Sequence, residues 1–255
     1  MNILLAGGSG FVGRSLITQL STKHSIMAPS SSELDLTSLA DLGAFMLQHE
    51  CQFIINCAVH GGRRTKVDTA VDFYNNVKIL DNLLHFVNED RKLITFSSGA
   101  ELHAPETYYG FSKKICSSLV RGRANVKNLR VYNVFGELGM EDSFVYSAIK
   151  RCLLGEDIVI WDDKLFDVCY VNDVIQLIDR LIETDSPSYQ EIDCVYEKKY
   201  KLSELASLIK SLTHSSSRII VQADTGSKYT GTCTFDMADP TPLTVSLQRM
   251  IDHLS

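Results

Sequence analysis

The run Ile3-Leu4-Leu5-Ala6-Gly7-Gly8-Ser9-Gly10-Phe11-Val12-Gly13 decides how the rest of the chain is read. Four apolar residues closed off by glycine make a short strand. The residues after Gly10 carry apolar side chains at helical spacing as far as Leu20. Strand, glycine turn and helix thus follow one another directly. Gly7, Gly10 and Gly13 stand three apart, a spacing that allows a tight turn, close approach of backbone to a pyrophosphate, and close packing of helix on strand. The helix N-terminus adds oriented N–H groups and partial positive charge. Gly7, Ser9, Gly10, Phe11, Val12 and Gly13 are therefore the candidate cradle for a dinucleotide. Any β-to-α connection can use a glycine turn, so the context has to carry the rest.

Working outward, strand-like runs recur at Ser25–Ala28, Phe53–Cys57, Leu93–Phe96 and Asn128–Tyr132. Segments of helical period lie between them at Phe11–Leu20, Leu39–Gln48, Ala70–Val87 and Tyr109–Arg121. This alternation predicts the α/β class: a doubly wound, Rossmann-like parallel sheet with helices on both faces. After Gly136 the rhythm shortens to helix Phe144–Leu154, strands Ile158–Trp161 and Asp167–Val171, and helix Val174–Ile182. Three of the five prolines follow, with polar runs at His214–Ser217 and Thr225–Thr232. The expected organisation is a dinucleotide-binding domain of residues 1–132 and 166–183, and a smaller, loop-rich α+β lobe of 133–165 and 184–255. Trp161 reads as core of that lobe rather than as a platform for a base.

The 255 residues are 45% apolar and 22% charged, ordinary globular values with ample length for a core. Lys+Arg 25 against Asp+Glu 31 gives a net charge of −6, which excludes the electrostatic footprint of a nucleic-acid or anionic-membrane binder. Seven scattered cysteines, none in a C-x-x-C pair, lie mostly within apolar runs and read as reduced small hydrophobes. No metal site is read, and a cytoplasmic location is expected. The start Met1-Asn2-Ile3-Leu4-Leu5-Ala6 has no basic n-region and reads as a strand rather than a signal peptide. No apolar run approaches the roughly 20 residues of a membrane span.

Two further stretches carry chemistry. The end of the second strand, where an acid would bind the ribose 2′-hydroxyl of NAD, reads Ala28-Pro29-Ser30-Ser31-Ser32, without an acid until Glu33. Small hydroxyls such as Ser30, with Arg14 in reach, accept a 2′-phosphate, so NADP(H) is favoured and NAD(H) stays open. Asp35 and Leu36 follow as adenine-side candidates, with a turn or cap role for Asp35 as the alternative. The second stretch is Tyr109-Gly110-Phe111-Ser112-Lys113, in which Tyr109 and Lys113 stand one helical turn apart on one face. A phenol is ordinarily too weak an acid for work near neutral pH, and an adjacent ammonium favours its ionised form. Ser97 and Ser98 precede this pair at the end of a strand.

Glycine turn, strand-end serine and Y-x-x-x-K, in that order, resemble the short-chain dehydrogenase/reductase superfamily. Leu129-Arg130-Val131-Tyr132-Asn133-Val134-Phe135-Gly136 and Asp167-Val168-Cys169-Tyr170-Val171-Asn172-Asp173-Val174 are similar to two segments of its extended branch. That branch contains nucleotide-sugar epimerases, dehydratases and 4-keto reductases. The resemblance runs from Met1 to about Ile182. It implies Tyr109 as the proton donor or acceptor, Lys113 as its activator and ribose contact, and Ser98 as hydrogen-bond partner of the reacting oxygen. Ser97 is the rival to Ser98, one residue away. Cys57, Ala58 and Val59 match the loop over the cofactor, Asn76 a helix position facing it, and Asn133 a contact to the substrate's diphosphate.

Two departures stand out. Phe166 occupies the place of an arginine that grips the diphosphate, with Lys164 as the candidate replacement. Only ten residues separate Ser98 from Tyr109, which implies an open sugar pocket. Ala58-Val59-His60-Gly61-Gly62 is similar to the A-x-x-G-G loop of fucose synthase-type reductases, making His60 a candidate substrate contact. A loop histidine with no role is the alternative. Arg63 and Arg64 read as a solvated basic patch, with phosphate contacts as the alternative. The function implied is NAD(P)-dependent reduction of a 4-keto-6-deoxy sugar nucleotide. The alternatives are an NAD-dependent 4-epimerase and a catalytically silent dinucleotide-binding regulator. The resemblance also implies a homodimer formed through the helices Ala70–Val87 and Tyr109–Arg121.

Overall fold

In the computed structural model, which describes residues 1–63, 65–233 and 240–255, the opening stretch is a strand, a turn and a helix. The elements run β1 (Asn2–Ala6), α1 (Phe11–Leu20), β2 (Ser25–Met27), α2 (Leu39–Gln48), β3 (Phe53–Asn56), α3 (Ala70–Leu84), β4 (Lys92–Ser98), α4 (Ala100–His103), α5 (Tyr108–Val120) and β5 (Val126–Val131). Next come β6 (Val134–Phe135), α6 (Phe144–Leu154), β7 (Ile158–Ile160), β8 (Leu165–Phe166), β9 (Cys169–Tyr170), α7 (Val171–Thr184) and β10 (Gln190–Cys194). The chain ends with β11 (Tyr200–Lys201), α8 (Leu202–Leu212), β12 (Ile219–Val221), β13 (Lys228–Tyr229) and α9 (Leu243–Leu254). Two compact units emerge, Met1–Arg130 with Ile175–Ile192, and Val131–Val174 with Asp193–Ser255.

The first unit is built on a six-stranded sheet in the order β10-β5-β4-β3-β1-β2. The pairs β1–β2, β1–β3 and β3–β4 are parallel. All four residues of β3 and the last four of β1 are buried, as expected of central strands covered on both faces. Leu4, Ile54 and Leu93 of the sheet share a core with Leu42 and Met46 of α2, Ile79, Leu80 and Leu83 of α3, and Val120 of α5. Side chains of Ser38, Thr69 and Thr107 cap α2, α3 and α5. Each accepts one of the N–H groups that a helix start leaves unpaired. Residues 184–192, assigned to the lobe from sequence, run with this unit, because β10 supplies its edge strand.

The second unit has small sheets: β11-β8-β13, β12-β7 and β6-β9. Helices α6, α8 and α9 pack together through side chains such as Ile149, Leu205, Ile209, Leu247 and Met250, all fully buried. The loop-rich reading of this part missed α8 and α9. The expected strand Asp167–Val171 is broken after β8, where the buried Asp167 carboxylate turns to the Lys199 ammonium and the Gly231 N–H, each at 2.8 Å. Trp161 corrects a second expectation. It is 78% exposed, because it follows the buried Ile160 at the end of β7, where strand alternation points it outward.

Candidate functional site

Strand order reverses at β1, which has β2 on one side and β3 on the other. In an open α/β sheet the crevice at such a point, outside the carboxyl ends of the strands, is the ligand site. Both loops that leave it here are forced to lie close. A Cβ on Gly7 (φ 81°) would fall 2.5 Å from the Ala58 nitrogen, and one on Gly13 2.3 Å from the Gly7 carbonyl oxygen. A side chain at Gly8 would collide with the Ala28 methyl at 2.8 Å. The turn therefore needs glycine at all three places, and Ser9 and Gly10 are left exposed at its tip. Helix α1 starts at Gly10 with no side-chain cap and no acid in its first turn. Its leading N–H groups are thus left for a ligand, with the partial positive charge of the helix end behind them.

Beneath β2 the hydroxyl cluster is more complex than the sequence implied. Glu33 folds back so that its carboxylate accepts both the N–H and the hydroxyl of Ser30 at 2.8 Å, and the Ser32 hydroxyl lies 2.9 Å from that of Ser30. These bonds hold the Glu33 carboxyl below the usual range. An acid three residues downstream of Ser30 thus stands beside it in the loop that follows β2. Asp35 accepts from the N–H and hydroxyl of Thr37, a turn role, and Leu36 packs half-buried against the core.

Strand alternation separates the two candidate serines. Ser97 is 2% exposed, and its hydroxyl donates to Glu101. Its oxygen lies 3.0 Å from that of Ser117, whose own hydroxyl donates to Glu101. The Glu101 carboxylate is in turn paired with the Arg130 guanidinium at 2.5 Å. A buried charge pair of this kind needs all its lone pairs and protons satisfied, and Ser97 is spent on that task. The Ser98 side chain stands on the opposite face of β4, where its hydroxyl accepts from the Ala100 N–H at 3.2 Å.

Tyr109 and Lys113 share one face of α5, as the spacing requires. The Lys113 ammonium donates to the Phe96 carbonyl at 2.8 Å and sits 5.7 Å from the centre of the Tyr109 ring. A second loop meets them. Cys57, Ala58 and Val59 follow β3; Cys57 N–H donates to Ala6 O at 2.9 Å. Burial pushes the Cys57 thiol far up, although the nearby Lys113 charge opposes it. Asn76 of α3 clamps the same loop, accepting from the His60 N–H at 2.7 Å and donating to the His60 carbonyl at 2.9 Å. Its amide also reaches the Ser112 hydroxyl on α5 at 3.1 Å. His60 itself is exposed. Gly62 then lies against the Tyr109 ring and donates its N–H to Asp68 at 2.8 Å. Sequence reading named the glycine pair but not Asp68. A Gly-Gly step, which invites positive φ, was the one available sign that a tether follows. Arg64 lies outside the described residues.

In the second unit, Asn133 adopts a left-handed conformation (φ 42°), which Asn tolerates better than most residues, and donates to the Asp167 carbonyl at 2.8 Å. The Lys164 ammonium stands 5.8 Å and 5.9 Å from the ring centres of Phe166 and Tyr229. Burial pushes the Asp167 carboxyl up, against the opposing pull of Lys199.

A doubly wound sheet whose switch point carries an uncapped glycine turn, with a lysine-anchored tyrosine beyond it, defines the class of dinucleotide-dependent α/β proteins. Within that class, the chain belongs to the NAD dependent epimerase/dehydratase family, whose sequence profile matches residues 3–194. It is 23% identical over 252 residues to GDP-L-colitose synthase of Yersinia pseudotuberculosis, covering 83% of this chain and 82% of that one. It is 25% identical over 244 residues to CDP-abequose synthase of Salmonella muenchen, covering 85% and 82%. Among solved structures it matches a GDP-mannoheptose C4 reductase from Campylobacter jejuni with NADP bound. That likeness has a TM-score of 0.83 and 16% identity, over 99% of this chain and 98% of that one.

Proposed function

We propose that the protein is an NADPH-dependent reductase that acts on a 4-keto-6-deoxy sugar nucleotide. The observation that carries this reading is the Tyr109–Lys113 pair on α5, with the ammonium pinned to the Phe96 carbonyl at the end of β4. The relatives support the substrate class, since those named above are sugar-nucleotide synthases and a C4 reductase. The first unit is read as the dinucleotide-binding domain and the second as the substrate lobe.

The glycine cradle fits the pyrophosphate of a dinucleotide, because backbone approaches there where any Cβ would obstruct it. Gly7, Ser9, Gly10, Phe11, Val12 and Gly13 would hold it, with Ser30, Asp35 and Leu36 towards the adenosine, and Cys57, Ala58, Val59 and Asn76 shaping the opposite wall. When bound, a reduced nicotinamide supplies hydride to the sugar carbon. Tyr109 donates the proton to the carbonyl oxygen, and Lys113 stabilises the phenolate left behind. Ser98 hydrogen-bonds the same oxygen; Ser97 is assigned to the Glu101–Arg130 network instead. On the lobe, Lys164 and Asn133 are read as diphosphate contacts. The exposed Trp161 ring is read as a stacking surface for the base.

A 4-epimerase is the second reading, and the Glu33 carboxylate at Ser30 favours it, because an acid in the loop after β2 suits the 2′-hydroxyl of NAD and repels a 2′-phosphate. One experiment separates the two. One portion of purified protein is denatured and its supernatant assayed for released dinucleotide, and a second, native portion is assayed for NADPH or NADH consumption against a panel of 4-keto-6-deoxy sugar nucleotides. The reductase reading expects little retained cofactor and one NADPH oxidised per product. Tightly held NAD, with no net absorbance change during turnover, overturns it in favour of the epimerase. Binding of dinucleotide without turnover of any sugar nucleotide would return the silent regulator.

The same reading makes the protein a cytoplasmic homodimer. Val71 and Tyr74 of α3, with Tyr108 and Phe111 of α5, leave large apolar side chains exposed on two helices that pack together. Among the described residues no helix is long and apolar enough to cross a membrane. Sedimentation equilibrium tests the dimer, and a monomer at micromolar concentration would refute it.

A further inference from the structure

Two consecutive glycines, Gly61 (φ 78°) and Gly62 (φ 75°), carry the chain across the ring of Tyr109. A Cβ on Gly62 would lie 2.7, 2.8 and 2.9 Å from Cε2, Cζ and Cδ2 of that ring. The bare backbone therefore rests on the half of the phenol that includes its hydroxyl-bearing carbon. Such a contact fixes the ring only if the backbone is itself fixed, and two side chains do so. Upstream, Asn76 holds both polar groups of the His60 peptide. Downstream, the Asp68 carboxylate accepts the Gly62 N–H at 2.8 Å. It also closes off Gly61, where a Cβ would fall 2.5 Å from Asp68 Oδ1. On the other side, the Ser112 hydroxyl, which meets Asn76, donates to the Tyr109 carbonyl at 2.7 Å. Strap and helix α5 are thus tied to one asparagine.

We propose that Asp68 is a positioning residue for Tyr109, acting through the Gly62 peptide that lies on its ring. This rests on the reading of Tyr109 as proton donor. An ionised acceptor makes a stronger bond to an N–H than a neutral one. With the strap held, the phenol has one resting orientation relative to the Lys113 ammonium. Without it, the half-buried ring gains room on the Gly62 side, and a misplacement near 1 Å at a reacting group is enough to cost turnover. Neither Asp68 nor Gly62 belongs to the phosphate cradle, so cofactor affinity is set elsewhere.

The test places 3-fluorotyrosine at position 109 and compares wild type, Asp68→Ala and Asp68→Asn. It uses fluorine NMR with and without NADPH, and steady-state kinetics on the tyrosine proteins. Asp68→Ala is expected to move the fluorine resonance and to lower kcat about tenfold, with NADPH affinity and KM within about twofold. Asp68→Asn keeps an oxygen for the Gly62 N–H and is expected to restore most of both signals. Gly62→Ala pushes directly on the ring and should move the resonance further; if it does not fold, the Asp68 pair still decides. Equal behaviour of the Ala and Asn variants, or an unmoved resonance with full kcat in Asp68→Ala, overturns the proposal. If Tyr109→Phe keeps full turnover, the functional reading falls instead, while the resonance comparison still reports whether the strap orients the ring.

Discussion

Ile55 and Asp173 are comparably buried, at 1% and 3% exposure, and hold their surroundings in opposite ways. Ile55 lies mid-strand in β3, in register with Leu5 and Ile94 on either side, among apolar neighbours. Asp173 lies in the first turn of α7 and holds distant backbone by its charge. It accepts from the Tyr196 hydroxyl and from the N–H and hydroxyl of Thr241, 68 residues further on. Its companions in the second unit behave alike. Asp163 holds the first turn of α8 through Ser203, Asp167 holds Gly231 and Lys199, and Asp193 holds Thr232. The first unit is organised by apolar layers and a ladder around one buried Glu101–Arg130 network, whereas in the second, beside its apolar helix core, buried aspartates staple the loops. The difference teaches where sequence reading has purchase, since periodic burial is written in periodic residues and a long-range staple is not.

The largest effect expected from this contrast is chemical and confined to the first unit. Tyr109→Phe should lower turnover by about 10² or more, the scale of general acid catalysis and roughly 2.7 kcal/mol of barrier, with melting temperature unchanged. Stopped-flow or steady-state kinetics under saturating cofactor reads it. Turnover near wild type would remove Tyr109 from the chemistry and leave the first unit as a binding scaffold.

Next comes the staple itself. Asp173→Ala strands the Tyr196 hydroxyl and the Thr241 polar groups without their acceptor. A stability loss of about 2 kcal/mol is expected, as for other groups left buried and unsatisfied. Urea unfolding followed by circular dichroism measures it. A loss below about 0.5 kcal/mol would mean that apolar packing of α6, α8 and α9 carries the second unit, and the contrast between units would dissolve.

These two expectations mark what was legible. Helices α1, α2 and α6 are bounded as their apolar period predicts, and the glycine turn lies against Ala58 as its spacing requires. The Tyr109–Lys113 pair was equally visible, because i and i+4 on a helix always share a face. Alternation puts Ser97 and Ser98 on opposite faces of β4 without saying which face is already occupied. What separates them is Glu101, a buried acid four residues on whose partner Arg130 comes from another strand. The sequence places Glu33 too far along the chain to count as the acid after β2, because its reach back to Ser30 depends on a turn, not on its place in the chain. Helices α8 and α9 were obscured by the polar and proline-bearing stretches around them, although Leu205, Ile209, Leu247 and Met250 keep helical spacing. Trp161 was misjudged on residue type, where alternation after the buried Ile160 sends it outward.

A smaller effect should belong to the second unit alone. Trp161→Ala removes an exposed ring, so the fold has little to lose. If that ring stacks on the base of the substrate, KM should rise about tenfold, near 1.4 kcal/mol, at unchanged kcat. The contrast would then sharpen into chemistry on one unit and recognition on the other. An unchanged KM would remove Trp161 from the substrate site.

The smallest effect is one of pH, and it compares a staple with a cap. The Asp162 carboxyl is held below the usual aspartate range by the Ser227 hydroxyl first, then by the N–H and hydroxyl of Thr225. Asp72 in the first unit is likewise held low, by the hydroxyl and N–H of Thr69 at the start of α3. Both acids are only partly buried and open to solvent screening, so neither shift carries much stability. A carboxyl whose native pKa is depressed contributes fully above the ordinary value, near ~4, and loses its contribution as pH falls through the native value. Acidification should therefore release both sets of bonds in the same window, below about pH 4. The consequences differ in reach. Protonated Asp72 frees one N-terminal turn that the rest of α3 continues to template. Protonated Asp162 frees residues 63 and 65 positions away in the chain, which no helix holds. Hydrogen-exchange protection factors at Thr225 and Thr69 compare them directly, with intrinsic exchange rates divided out. Protection at Thr225 should fall further between pH 5 and pH 3 than at Thr69. Equal losses at the two amides would show that the aspartate staples of the second unit are no more consequential than a cap.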